Sequence, residues 1–189
     1  MPVIQVTLIE GYDAATRQHL CERLTDAAMA TIEAPAEAVT VFINEVAAAG
    51  YMRGRVGKTP GASVPPPART CLDFLDAVGA RDLKRASAMT GAEFRMVFPG
   101  GQVFTEFDAL LAWAAGRYRS IAKTIDRVEE APLGERVAVY ISGTLSGERP
   151  DGAEFKDIRF MDRFEVKSGL ILRQEVWNDL AESLDLTQA

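Results

Sequence analysis

The sequence predicts an α+β protein of two domains, and three observations carry that expectation. Residues 1–55 follow a β-α-β rhythm. Residues 56–67 read Val-Gly-Lys-Thr-Pro-Gly-Ala-Ser-Val-Pro-Pro-Pro, and residues 68–189 place helices first and long, turn-separated strands last. Three consecutive prolines favour an extended, stiff spacer, so the domain boundary is placed at 56–67. The segment beyond it is long enough to fold alone.

Composition narrows the function classes. With 189 residues, 48% hydrophobic and 25% charged, the chain has the material for a real core. A net charge of −6, with no basic block, argues against nucleic acid or an anionic membrane as the main partner and for a small-molecule substrate. Cys21 and Cys71 fall in separate helix-like stretches without a C-x-x-C, and His19 is the one imidazole. Neither a disulfide framework nor a zinc site is expected, no cofactor is implied, and both thiols are read as buried. No charged-then-apolar leader and no apolar run of membrane-spanning length occurs, so the expected location is cytoplasmic.

The elements follow in chain order. Val3 to Ile9 is rich in β-branched residues and stops at Glu10-Gly11-Tyr12-Asp13, where Gly11 makes a turn and Asp13 can cap a helix. From residue 14 to about 32, Leu20, Leu24, Ala27, Ala28 and Ile32 recur at helical spacing, until Glu33-Ala34-Pro35 ends the helix. Val39 to Val46 is a second β-rich run, expected to pair parallel with the first across the helical crossover. Pro2 opens the first strand directly behind Met1. Were the methionine removed, Pro2 would carry a free secondary amine. An apolar pocket would lower the pKa of that amine, because desolvation disfavours its charged form, and so fit it as a general base.

In the second domain, residues 69–78 and 82–89 read as helices, and Glu93 to Gly101 as a short strand ending in a turn. Thr105 with Asp108 resembles a capping box opening a helix over residues 106–118. Strands are expected over residues 120–130, 136–147, 153–166 and 170–178, with breaks at Pro132-Leu133-Gly134, Pro150-Asp151-Gly152 and Lys167-Ser168-Gly169. Helices followed by an antiparallel meander predict a curved sheet wrapped around the helices.

Residues 2 to about 55 resemble a 4-oxalocrotonate tautomerase subunit. The resemblance rests on Pro2, the strand end Leu8-Ile9-Glu10-Gly11, the helix closing on Glu33-Ala34-Pro35, and Val41-Phe42-Ile43-Asn44-Glu45-Val46 leading to Tyr51. It implies that Pro2 shuttles a proton between carbon and oxygen of an enolisable carbonyl compound, with Tyr51 as the aromatic residue that shields its amine. It also implies a symmetric homo-oligomer, a hexamer built of dimers or trimers. Two arginines that bind a dicarboxylate in the best-known members fall at Tyr12 and Thr40, neither of them cationic. Tyr12 either donates a hydrogen bond to an enolate oxygen or merely packs. Arg53 and Arg55, on an expected hairpin, either hold a carboxylate or carbonyl oxygen bidentately or stand as solvated charges. His19 is read as a surface residue.

Residues 68–182 resemble the nuclear transport factor 2-like superfamily, particularly its SnoaL-like polyketide-cyclase branch. Element order carries the resemblance, together with the run Arg159 to Ile171 and then Arg173, Trp177 and Asp179. It implies a cone-shaped, cystatin-like α+β barrel with an interior pocket. Asp179, at a position often acidic in that superfamily, joins Asp157, Arg159, Asp162, Glu175 and Trp177 as the pool for pocket chemistry, and alternation puts Glu175, Trp177 and Asp179 on one face. Ketosteroid-isomerase-like members carry an aspartate where this chain has Phe98, so their mechanism is not implied. Two function classes follow. One is a cofactor-free tautomerase with Pro2 as base. In the other, the second domain binds or converts a larger apolar ligand and the first serves mainly for oligomerisation.

Overall fold

The computed structural model describes residues 1–181. Its contacts divide the chain into two compact units, one of residues 1–63 and one from Val64 onward.

The first unit is built on β1 (Val3–Ile9) and β2 (Thr40–Val46), paired parallel in register from Val3 opposite Thr40 to Ile9 opposite Val46. The crossover is α1 (Ala14–Met29), capped by Asp13, whose side chain accepts a 2.7 Å hydrogen bond from the Thr16 N–H. That hydrogen bond holds the Asp13 carboxyl below its usual value. Arg17 then ties the helix start to both neighbours, donating to the Tyr12 carbonyl at 2.9 Å and pairing with Glu45 at 2.8 Å. A hairpin of β3 (Met52–Arg53) and β4 (Val56–Gly57) follows. Gly54 and Arg55 turn it with φ of 58° and 65°, the positive pair that a two-residue hairpin demands. The expected spacer therefore begins inside a strand pair. Alternation along β1 leaves Ile4, Val6 and Leu8 half-buried and Val3, Gln5 and Thr7 exposed, yet no residue of this unit is fully buried among the described residues. His19 and Cys21 are half-buried on α1, so only Cys71 answers to the expectation of buried thiols.

The second unit opens with α2 (Pro67–Gly79), where the last proline of the run takes the first helical turn and its missing N–H costs nothing. There follow α3 (Leu83–Ala88), β5 (Thr90–Phe98), β6 (Gln102–Phe104), α4 (Phe107–Ala115), β7 (Ser120–Leu133), β8 (Arg136–Glu148), β9 (Glu154–Lys167) and β10 (Leu170–Asn178). The six strands form one sheet in the order β6-β5-β10-β9-β8-β7, with only β5 and β10 parallel. It curves but does not close, since β6 and β7 are free edges. Irregularities at Ile125/Arg127 in β7, Leu145/Gly147 in β8 and Ile171/Arg173 in β10 supply local bends. β7 runs through Pro132, where the sequence predicted a break, because an edge strand loses little when a proline cannot donate. The expected capping box at Thr105 does not form. β6 keeps Gln102 to Phe104 extended, and Glu106 occupies the cap position without a side-chain bond.

Phe74 of α2 is fully buried, with ring centroids of Phe94, Phe107 and Phe164 at 5.6, 6.0 and 5.9 Å. Cys71, Met96, Ile141 and Ile171 belong to the same core, and burial pushes the Cys71 thiol up. Close approach of β7 to β8 requires Gly143, where a Cβ would lie 2.0 Å from the Thr124 carbonyl oxygen. Gly143→Ala is therefore expected to destabilise this unit by about 1–3 kcal/mol, as overpacking does, seen as a lower urea midpoint. Among the described residues no helix is long and apolar enough to cross a membrane.

Candidate active site

The first unit assembles its chemical groups in two pairs. Pro2 is half-buried at the head of β1, and its carbonyl accepts a 3.0 Å hydrogen bond from the Thr40 N–H. This fixes the proline beside the start of β2, while the Thr40 side chain stays exposed. At the hairpin, the Arg53 guanidinium donates to the Tyr51 hydroxyl at 3.1 Å, so the aromatic residue and a cation are presented together. Arg55, in the turn, is exposed. Among the described residues no hydrogen bond joins Pro2 or Thr40 to Tyr51, Tyr12 or Arg53. Tyr12 lies past the far end of β1, and seven residues at about 3.3 Å each already set it roughly 20 Å from Pro2.

The second unit holds a cavity of about 670 Å³ between its helices and the concave sheet face. Its apolar wall includes Phe98 and Trp113, whose rings meet edge to face at 5.5 Å, and Phe160, over which the Lys123 ammonium sits at 4.4 Å. Lys123 also pairs with Asp162, a carboxylate with no exposed surface that accepts a further 3.2 Å hydrogen bond from the Gln174 amide. Lys123 and Gln174 belong to the cavity wall. Arg117, also on the wall, lies 4.7 Å above the Trp113 ring. Burial raises the Tyr118 hydroxyl above its usual value, while Arg117 and Arg81 act against the rise.

The β10 residues of the wall are Gln174, Val176 and Asn178. Glu175 and Trp177 do share a face, as alternation requires, but it is the face away from the cavity. Trp177 is 52% exposed there, and Glu175 is held by Arg163 at 2.7 Å. Arg159 and Asp179 pair with each other at 2.6 Å, the arginine side chain 84% exposed, and neither belongs to the wall. The sequence-predicted binding residues thus stand outside the pocket, Trp177 and Arg159 because the pleat of β10 and β9 points them outward, and Asp179 because it lies past the end of β10, paired with Arg159.

Comparison with known proteins matches each unit separately. A family model described as tautomerase enzyme matches residues 2–59, and a model described as SnoaL-like domain matches residues 72–174, more than half of the chain. A protein described as a probable tautomerase from Ralstonia nicotianae is 48% identical over 67 residues, which are 35% of this chain and 93% of that protein. The chain belongs to both families, tautomerase first and SnoaL-like second. For the SnoaL-like unit, an NTF2-like protein of unknown function from Burkholderia pseudomallei superposes with a TM-score of 0.52 at 20% identity, covering 66% of this chain and all of that one. An NTF2-like protein from Burkholderia thailandensis gives 0.54 at 16% identity, over 67% of this chain and all of that one. At such identities these likenesses establish the fold.

Sequence reasoning reached Asp162 in the SnoaL-like unit but missed Lys123, Gln174, Arg81 and Arg117. Lys123 carried a usable signal, since it is the one lysine in the run Ser120 to Asp126 beside Ile121 and Ile125, all inward-facing cavity positions on β7. Arg81 and Arg117 sit just past helix ends and carry no periodicity to reveal them.

Proposed function

We propose that the tautomerase unit is a cofactor-independent isomerase in which the Pro2 amine, freed by removal of Met1, takes a proton from a small enolisable carbonyl compound and returns it to another atom. The observation that carries this reading is Pro2 at the head of β1, pinned by Thr40 within the residues 2–59 that match the tautomerase model. Arg53, bonded to Tyr51, is the candidate for stabilising the enolate oxygen. The reading predicts that purified protein accelerates ketonisation of phenylenolpyruvate well above buffer. Absence of acceleration under all conditions of assembly would remove it.

Substrate charge follows from the residues available. Without cations at Tyr12 and Thr40, two charge-assisted contacts worth roughly 1.5–3 kcal/mol each are missing, while Arg53 or Arg55 suffices for one carboxylate. A monoacid such as phenylenolpyruvate is therefore expected to show a higher kcat/KM than the diacid 2-hydroxymuconate, and Arg53→Ala to lower turnover of the monoacid. Preference for the diacid, unchanged in Arg53→Ala, would overturn both assignments.

The unit is proposed to work as a homo-oligomer, a hexamer or trimer of dimers. It lacks a fully buried residue, its sheet exposes Val3 (64%) and Phe42 (41%), and Tyr12 lies at the wrong end of β1 to reach Pro2 of its own chain. Light scattering is expected to give several times the chain mass. A monomer mass in dilute solution would contradict this.

A second reading is favoured by the cavity of about 670 Å³, within the range of small-molecule sites. In it the SnoaL-like unit binds or converts a larger apolar ligand, and the tautomerase unit serves mainly for oligomerisation.

A further inference from the structure

The charges on the cavity wall of the SnoaL-like unit run against those of the chain. The protein carries −6 overall, whereas among the described residues the wall includes Arg81, Arg117, Arg119 and Lys123 against one carboxylate, Asp76. Two of these cations are committed elsewhere, Arg119 to Glu148 at 2.7 Å and Lys123 to Asp162. Arg81 and Arg117 have no carboxylate partner among the described residues, and Arg117 is stacked on Trp113 at 4.7 Å. Both line the cavity together with Tyr118, whose hydroxyl feels the charge of each. Among the described wall residues these two guanidiniums outnumber the Asp76 carboxylate by one charge, which a monoanion balances. The wall also includes the aromatic side chains of Trp113, Phe98 and Phe160. Guanidinium pairs match the planar carboxylate fork, and ring walls match a flat ligand.

From this arrangement we propose that the cavity is a site for flat aromatic monocarboxylates, the carboxylate held by Arg81 and Arg117 and the ring system lying along Trp113, Phe98 and Phe160. The proposal rests on the reading that the cavity takes a ligand at all, and adds its chemical class. It is separate from the chemistry of Pro2.

The test is calorimetric titration of the full chain with 2-naphthoate and with its uncharged isostere 2-naphthamide. The acid is expected to bind at least about tenfold more tightly, and Arg81→Gln/Arg117→Gln to abolish that preference while leaving the amide unchanged. Arg127→Gln, an exposed cation outside the wall, is expected to keep the preference. In a Trp177→Phe background Trp113 is the remaining tryptophan, and its emission should fall saturably with the acid. Should the double variant fold poorly, each single variant is expected to lose at least about threefold for the acid alone. Equal binding of acid and amide overturns the proposal and leaves a ligand-binding cavity. An acid preference untouched by either arginine overturns it as well. No binding of either probe overturns both the proposal and the reading beneath it.

Discussion

Pro2→Ala is expected to lower kcat/KM for phenylenolpyruvate by about 10²-fold or more, the scale on which a positioned general base contributes. The substitution exchanges a ring-constrained secondary amine for a freely rotating primary one. It keeps the backbone carbonyl that accepts from the Thr40 N–H, so β1 and β2 should stay paired and the circular dichroism spectrum should not change. Loss of rate with an unchanged fold therefore isolates the amine. Arg53→Ala should act differently, because it removes a contact to substrate and not the base, and its effect should include a rise in KM. Unaltered turnover in Pro2→Ala would end the assignment.

Lys123→Met is expected to destabilise the SnoaL-like unit by about 3 kcal/mol, read as a lower urea midpoint at constant m-value. Asp162 has no exposed surface, and Lys123 is its only cationic partner among the described residues, with Gln174 supplying one more hydrogen bond. Removing the lysine leaves a buried carboxylate uncompensated, the condition under which breaking a pair costs most. The lysine keeps 26% of its side chain exposed, so the cost is placed at the low end of the range for buried pairs. Converting both residues, as Lys123→Met/Asp162→Leu, is expected to recover much of the loss, since apolar groups of similar size remove the charge along with its partner. A single variant as stable as the parent would show that Asp162 does not rely on the pair.

Much of the architecture was legible because it depends on local pattern. The β-branched run Val3 to Ile9, the Asp13 cap and the spacing of Leu20 and Leu24 each act over a few residues, and the structure has the strand and helix they predict. The misreadings have non-local causes. Pro132 looked like a strand break, but β7 is an edge strand and tolerates it. Thr105 looked like a cap, but β6 pairs with β5 and keeps the chain extended up to Phe104. At the candidate sites the same division holds. Pro2 and Tyr51 were visible from a contiguous motif, whereas the cavity wall draws Arg81, Arg117, Lys123 and Gln174 from four separated segments that only the curved sheet and helices bring together. For β10, period-two alternation correctly grouped Glu175 with Trp177. It contained nothing to say which face meets the helices, and that choice decided between Trp177 and Gln174.

Measuring intact mass and phenylenolpyruvate turnover on the same preparations decides whether the Pro2 amine is the base. Active protein is expected to lack Met1 and begin at Pro2, and a form retaining Met1, with its proline nitrogen locked in an amide, to turn over at least about 10²-fold more slowly. Full turnover by a chain whose mass still includes Met1 would contradict it.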